Sequence, residues 1–366
     1  MAKKVFVAAI EKNSGKTTTS ISLMHLASKK YRNVGFIKPF GGHTVQFRGK
    51  VIDKDVALMA QVFDLRWDLE MMSPVVLTPG ITRQIVDGEL PPEHLQERIL
   101  KAYQTLERQC DFIVIEGSGH PGVGSIMEIS NARIAHMLQA PVLLVTGGGL
   151  GDVVDRLAMI EAYFEKERVD LRAILANKLI PQKRERTLDY LRRALGRRSF
   201  QVLGGFDYQP VLANPTLRRI STVLDLPVHG DQRELQRIIY RVLVAAASTQ
   251  RFMELLKEPS LIVVTSSRNE LLVTLAHLYQ MPKYHPLIVG LVISGSMPIN
   301  EITQQILDKS EIPYIRAEKS ISADLYQRIN SDISKIVAED REKLDLIFSL
   351  AESTLDFDAL DSTFSV

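Results

Sequence analysis

The chain has 366 residues, 45 basic against 43 acidic side chains, 45% apolar residues and one cysteine. That length suits two domains, and the nearly balanced charge speaks against a dedicated nucleic-acid binder. One cysteine excludes an intramolecular disulfide and a cysteine-rich metal site, and no apolar run approaches the ~20 residues of a membrane helix.

The start, Met1-Ala2-Lys3-Lys4, has no leader-like apolar core, so a cytoplasmic location with no membrane partner is expected. Residues 1–213 alternate short apolar runs with helical periodicity, the pattern of a parallel sheet covered by helices. The expected strands are 5–10, Val34–Ile37, 112–115, 141–145, Leu171–Ala176 and Gln201–Gly204. The expected helices are Lys16–Lys30, 55–63, 92–109, 131–138, 152–167 and 183–197, with Pro91-Pro92 suiting a helix start. Cys110, just before strand 112–115, is expected to be an inert, half-buried thiol.

Residues 214–330 carry a second, smaller α/β series. Its expected strands are 242–247, 261–265, 287–293 and 314–316, and its helices are 216–224, 250–256, Asn269–Tyr279 and 300–309. Residues 331–366 are expected to form a closing helix, 339–355, and an acidic tail. After Lys343 there are five acidic residues and no basic ones, which predicts an exposed tail.

The most informative stretch is Asn13-Ser14-Gly15-Lys16-Thr17-Thr18, directly after strand 5–10. A strand, a tight loop and a helix start present unpaired N–H groups and a favourable dipole to an anion. Gly15 permits close approach of a phosphate, Lys16 reaches the terminal phosphates, and the Thr17 hydroxyl suits Mg²⁺. Ile10 stands where the full phosphate-loop pattern wants a glycine, and Glu11 brings a carboxylate near the loop; both predict weakened phosphate affinity.

In an open parallel sheet, ligands bind beyond the carboxyl ends of the strands. Lys38, Asp53, Asp55, Glu116-Gly117-Ser118-Gly119-His120, Gly147-Gly148-Gly149 and Asn177-Lys178 all fall at such ends. Thr17, Asp55 and Glu116 form a natural oxygen set for Mg²⁺. Asp53 and Asp55 suit helix capping equally. Lys38 reads as a phosphate or acid-substrate contact, or as a surface lysine. Asn177 reads as a base-reading amide or as a turn residue. His120 has no fixed partner in the pattern. Seven basic residues between Lys183 and Arg198 read as a solvated helix face.

These residues, in this order, resemble the dethiobiotin synthetase-like P-loop proteins, and more closely the N-terminal region of long bacterial phosphate acetyltransferases. The Asn13–Thr18 loop, the Glu116-to-Ser125 loop and Asn131-Ala132-Arg133 carry that likeness. The segment from Pro215 to Ala317 resembles the DRTGG domain, with its namesake loop degenerate at Thr265-Ser266-Ser267-Arg268-Asn269-Glu270. The resemblance implies ATP and Mg²⁺ as ligands. Asn13, Ser14, Gly15, Lys16, Thr17, Thr18, Gly117 and Asn177 would hold the nucleotide, Thr17, Asp55 and Glu116 the metal, and Lys16 and Lys38 would be catalytic.

The resemblance ends where an acetyltransferase catalytic domain would begin, so acyl transfer is not expected. It implies a Mg–ATP-binding regulatory or sensor protein with a small-molecule effector or protein partner. The alternative is an ATP-dependent ligase of the dethiobiotin synthetase or cobyrinate amidation type, or a slow ATPase. A homo-oligomer is expected by analogy with related dimeric P-loop domains.

Overall fold

A computed structural model describes residues 2–147, 149–331 and 336–364. Gly148 of the expected glycine run, and 332–335 and 365–366 of the expected tail, lie outside the described residues. The chain forms two compact units: Met1–Tyr208 with Val337–Val366, and Gln209–Ile336.

Unit 1 is built on six strands: β1 (Lys3–Ala9), β2 (Val34–Ile37), β3 (Phe112–Glu116), β4 (Val142–Thr146), β5 (Leu171–Ala176) and β6 (Gln201–Gly204). They lie in the order β6-β5-β4-β1-β3-β2, all parallel. β1 is central, with Val5 opposite Val114 on one side and Phe6 opposite Val142 on the other. Helices cover both faces of such a sheet, which explains the unbroken apolar runs of β1, β3 and β4.

The helices are α1 (Lys16–Lys30), α2 (Lys54–Val62), α3 (Pro92–Glu107), α4 (Asn131–Met137), α5 (Leu150–Glu167) and α6 (Arg184–Leu195). α3 shows the logic: proline at its first position, then Leu95, Ile99, Ala102, Tyr103 and Leu106 buried on one stripe. α6 likewise buries Leu188, Leu191 and Leu195 and turns its basic residues outward. Cys110 is buried rather than half-buried, and burial pushes its thiol up to about 12, so it is inert at neutral pH.

Unit 2 carries a five-stranded sheet from β7 (Val228–His229), β8 (Arg241–Val244), β9 (Ser260–Thr265), β10 (Ile288–Ser294) and β11 (Tyr314–Ala317). The order is β7-β11-β10-β9-β8, with β7 antiparallel to β11 and the rest parallel. α7 (Leu217–Leu224), α8 (Asn269–Tyr279), α9 (Glu301–Ser310) and α10 (Ser322–Ser331) flank it.

The chain then returns to unit 1 with α11 (Arg341–Thr354) and α12 (Phe357–Thr363). The expectation of an exposed acidic tail is corrected here. α11 buries Leu344, Ile347 and Ala351, and Phe348 stacks on His25 of α1 with ring centroids 4.3 Å apart. Three of the acids meet lysines of the first strand and helix: Glu352 pairs with Lys29 at 2.5 Å, Asp358 with Lys30 at 2.5 Å, and Asp361 with Lys3 at 2.9 Å and Lys30 at 3.0 Å; Glu352 also lies 2.7 Å from His25 Nε2. Local charge counting missed this because the partners lie more than 300 residues away.

Candidate functional site

The loop between β1 and α1 follows from its glycine. Gly15 adopts φ +103°, a left-handed conformation that costs glycine little and other residues much. It caps α1 without a side-chain hydrogen bond, and the first helical bond runs from Thr19 N to Gly15 O at 2.9 Å. The helix start is thus shaped as an anion cradle. Asn13 also has positive φ, at +65°, and the Ser14 hydroxyl donates to Glu11 O at 3.1 Å, closing the loop on itself. Thr18 sits in the first turn of α1, its carbonyl accepting from Ser22 Oγ at 2.8 Å.

Asn177, at the end of β5, props the loop. Its Nδ2 donates to Ser14 O at 2.9 Å and its Oδ1 accepts from Phe206 N at 3.1 Å. Of the two readings of Asn177, a base-reading amide or a turn residue, the structure shows an amide that holds backbone on both sides. Gly117, at the end of β3, donates its N–H to Val7 O at 3.0 Å and so lies beside β1.

Four charged side chains, buried together, form the centre. Lys38, Asp53, Asp55 and Glu116 are only 6%, 1%, 4% and 1% exposed. The Lys38 ammonium is hydrogen-bonded to Asp55 and lies 3.5 Å from both Asp53 Oδ1 and Glu116 Oε1. The reading of Lys38 as a surface lysine is thereby corrected. Burial alone would lower its pKa. The carboxylates of Asp55, Glu116 and Asp53 outweigh that and raise it above the ordinary lysine value.

Three carboxylates facing one ammonium leave negative charge in excess. Burial, opposed by Lys38, accordingly raises the Glu116 pKa above the usual carboxylate value. Glu116 Oε1 accepts from the Thr17 hydroxyl at 3.0 Å, whereas its Oε2 has no hydrogen-bond partner. Lys16 extends across to Gly119 O at 2.7 Å. The competition between capping and ligation at the two aspartates resolves by division of labour. Asp53 caps α2, accepting from Asp55 N at 2.9 Å, and Asp55 faces Lys38.

The donor set suits a hard divalent cation: the Thr17 hydroxyl and the carboxylates of Asp55 and Glu116, the latter with Oε2 left without a hydrogen-bond partner. Among the described residues no three His, Cys, Asp or Glu are arranged to hold a metal ion. Mg²⁺ takes one or two carboxylates plus phosphate and water oxygens.

Several supporting residues were missed in the sequence. Gly41 packs against Asp53 so closely that a Cβ would meet Asp53 Oδ2 at 2.0 Å, and Ser73 Oγ accepts from Asp53 N at 3.1 Å. The Gly41-Gly42 pair was the available signal. Asn131 ties down the loop after β3, accepting from Ser118 N at 2.9 Å and donating to Ser118 O at 2.6 Å and His120 O at 2.7 Å. His120 itself is exposed, and its Nδ1 accepts from Gly122 N at 3.3 Å. Arg156 of α5 binds Glu11 at 2.6 Å and Asp152 at 2.7 Å. Ile10 is buried in the core and belongs to the end of the β1 run rather than to the cradle.

A family model for an AAA domain matches residues 3–216, and one for a DRTGG domain matches residues 225–331. A phosphate acetyltransferase of Nitratidesulfovibrio vulgaris is 22% identical over 99% of this chain and 52% of its own length. A phosphate acetyltransferase of Synechocystis sp. is 24% identical over 81% of this chain and 42% of its own length. An ATP-dependent dethiobiotin synthetase of Methanocaldococcus jannaschii is 24% identical over 47% of this chain and 78% of its own length. The chain thus spans about half the length of the acetyltransferases it matches. No helix among the described residues is long and apolar enough to cross a membrane.

Proposed function

This chain belongs to the AAA-domain family, and from that premise we propose that unit 1 binds Mg–ATP and that the protein acts as a nucleotide-dependent regulator or sensor. The observation that carries the reading is the buried Lys38–Asp53–Asp55–Glu116 cluster, set against the Thr17 hydroxyl at the mouth of the Gly15 cradle. Its excess negative charge and the orphaned Glu116 Oε2 call for a cation that arrives with a ligand.

In this reading the N–H groups of residues 13–18 hold the phosphates, Lys16 leaves Gly119 O for a terminal phosphate, and Thr17, Asp55 and Glu116 hold Mg²⁺. Bound Mg–ATP supplies the divalent charge and a transferable phosphoryl group. Asp55 and Glu116 would hold the metal in place of the Lys38 ammonium, and Lys38 would then be able to turn its charge to a phosphate. The committed state of Lys38 supports binding ahead of turnover, and unit 2 is the element through which occupancy is read out. A bound effector or protein partner and a homo-oligomeric state belong to the same proposal.

A second reading is an ATP-dependent ligase of the dethiobiotin synthetase or cobyrinate amidation type. It is favoured by the match over most of a dethiobiotin synthetase's length. There Lys38 would orient an acyl phosphate, and positioning with charge neutralisation would supply the rate.

Calorimetry with Mg–ATP on the wild type and on Lys16→Ala tests the nucleotide reading. Binding by the first and its loss in the second is expected; identical traces overturn it. ATP consumption stimulated by a diamino or dicarboxylate substrate would favour the ligase over the regulator.

A further inference from the structure

The carboxylate of Glu11 is an anomaly in a phosphate loop. It precedes Gly15 by four residues, and the Ser14 hydroxyl folds back onto its carbonyl, so it is part of the loop itself. An uncompensated carboxylate there repels a polyphosphate through water-exposed space. Glu11 is not uncompensated. Arg156 Nη1 contacts Glu11 Oε2 at 2.6 Å, and its Nε contacts Asp152 Oδ1 at 2.7 Å.

Arg156 stands on the second turn of α5, and Asp152 one turn before it holds the guanidinium in place at i,i+4 spacing. The two carboxylates raise the Arg156 pKa further, so its charge is fixed at every working pH. Lys178, after β5, also feels the Glu11 charge, which opposes the lowering of its pKa by desolvation. Arg156 is thus the side chain in direct contact with Glu11, and Lys178, from a different element, lies within reach of its charge.

We propose that Arg156 is a positioning residue for the phosphate loop. By neutralising Glu11 it allows a loop that carries its own carboxylate to accept a nucleoside polyphosphate, and the Glu11–Arg156 pair sets the affinity. The inference rests on the reading that this loop takes nucleotide. The charge argument makes the effect scale with ligand charge: a triphosphate responds more than a diphosphate. Loss of the arginine exposes the carboxylate, whereas loss of both removes two offsetting charges together and leaves the loop lysines Lys12 and Lys16 in place.

Calorimetry on the full chain with Mg–ATP and Mg–ADP tests this in Arg156→Ala, Glu11→Gln and the double variant. R156A is expected to weaken Mg–ATP binding by about tenfold and Mg–ADP by less. E11Q is expected to bind more tightly than wild type, and the double variant, in which both opposite charges are gone, to lie within about twofold of wild type. A merely structural arginine would leave the double variant as weak as R156A, so absence of that rescue overturns the proposal. R156A indistinguishable from wild type, with Lys16→Ala inactive in binding, overturns it while leaving the nucleotide reading intact. No binding by the wild type overturns both. If R156A fails to fold, E11Q alone decides: unchanged or weaker Mg–ATP binding counts against the proposal.

Discussion

Asn177 and Gly15 occupy each other's space: a Cβ built on Gly15 would meet Asn177 Nδ2 at 2.2 Å. The same nitrogen donates to Ser14 O at 2.9 Å, so the close approach that excludes a side chain is also the bond that fixes the loop. The glycine is therefore required twice, for its left-handed backbone and for its missing Cβ.

Gly15→Ala should destabilise the protein by about 1–3 kcal/mol, the cost of a strained backbone position plus a displaced amide. Adding Asn177→Ala should not restore stability. It removes the collision but leaves the φ of +103° and unties Ser14. Urea midpoints of the two variants check this; full recovery in the double variant would show that the collision alone matters.

Lys38 is the ammonium in contact with Asp53, Asp55 and Glu116, so its removal strips all three buried carboxylates of that counter-ion. Lys38→Met should cost about 3–5 kcal/mol at neutral pH, the range for breaking a buried ion pair from one side. Mg²⁺ alone should then raise the melting temperature of the variant more than that of the wild type, because Asp55 and Glu116 no longer have a competing cation. Equal magnesium shifts in both proteins would argue against a cation site there.

The alternating architecture was legible because it is local. Apolar runs such as Val5–Phe6–Val7 and Ile113–Val114–Ile115 must be buried on both faces, and each is followed by a helical period. The strand ends bearing Lys38, Glu116 and Asn177 were legible for the same reason. The hairpin Thr44–Phe47 with Lys50–Asp53 was not, since its first strand is largely exposed and its register hangs on the Arg48-Gly49 turn, with φ of +46° and +79°. In the sequence Asp55 falls in the metal set while capping stays open to both aspartates; the structure gives the cap of α2 to Asp53. The pairing of Glu11 with Arg156 spans 145 positions and leaves no local trace.

Gly41 makes the division between the aspartates testable. It sits in a two-residue strand, Phe40–Gly41, beside Val75–Val76, and faces Asp53 at a distance no side chain tolerates. Gly41→Ala should push Asp53 off Asp55 N, losing the cap of α2 at a cost of about 1–2 kcal/mol. Asp53→Asn keeps the capping oxygen and should cost less. Chemical denaturation of the two variants gives the comparison, and a larger loss in Asp53→Asn would mean that its charge toward Lys38, rather than the cap, is what counts.

The docking of α12 should be acid-labile in a defined direction. Asp361 is buried and accepts from Lys3 Nζ at 2.9 Å and from Tyr31 Oη at 2.7 and 2.8 Å, with Lys30 Nζ at 3.0 Å. Burial raises its pKa, but the hydrogen bonds from Lys3, Tyr31 and Lys30 outweigh burial and hold it below the ordinary aspartate value. A carboxyl whose pKa is lower in the folded state stabilises the fold above its unfolded pKa of 3.8, and that contribution fades as pH falls through the lower folded value. Wild-type stability should therefore drop below about pH 4, by an increment that Asp361→Asn lacks. At pH 7 the same substitution should cost about 1.5–3 kcal/mol, the scale of hydrogen bonds to a charged group. Urea unfolding at pH 7 and pH 3 supplies the four numbers. If D361N keeps the full acid dependence of the wild type, the clasp owes its pH sensitivity to other carboxylates, with Glu352 on His25 and Lys29 the next to test, since its pKa is also lowered.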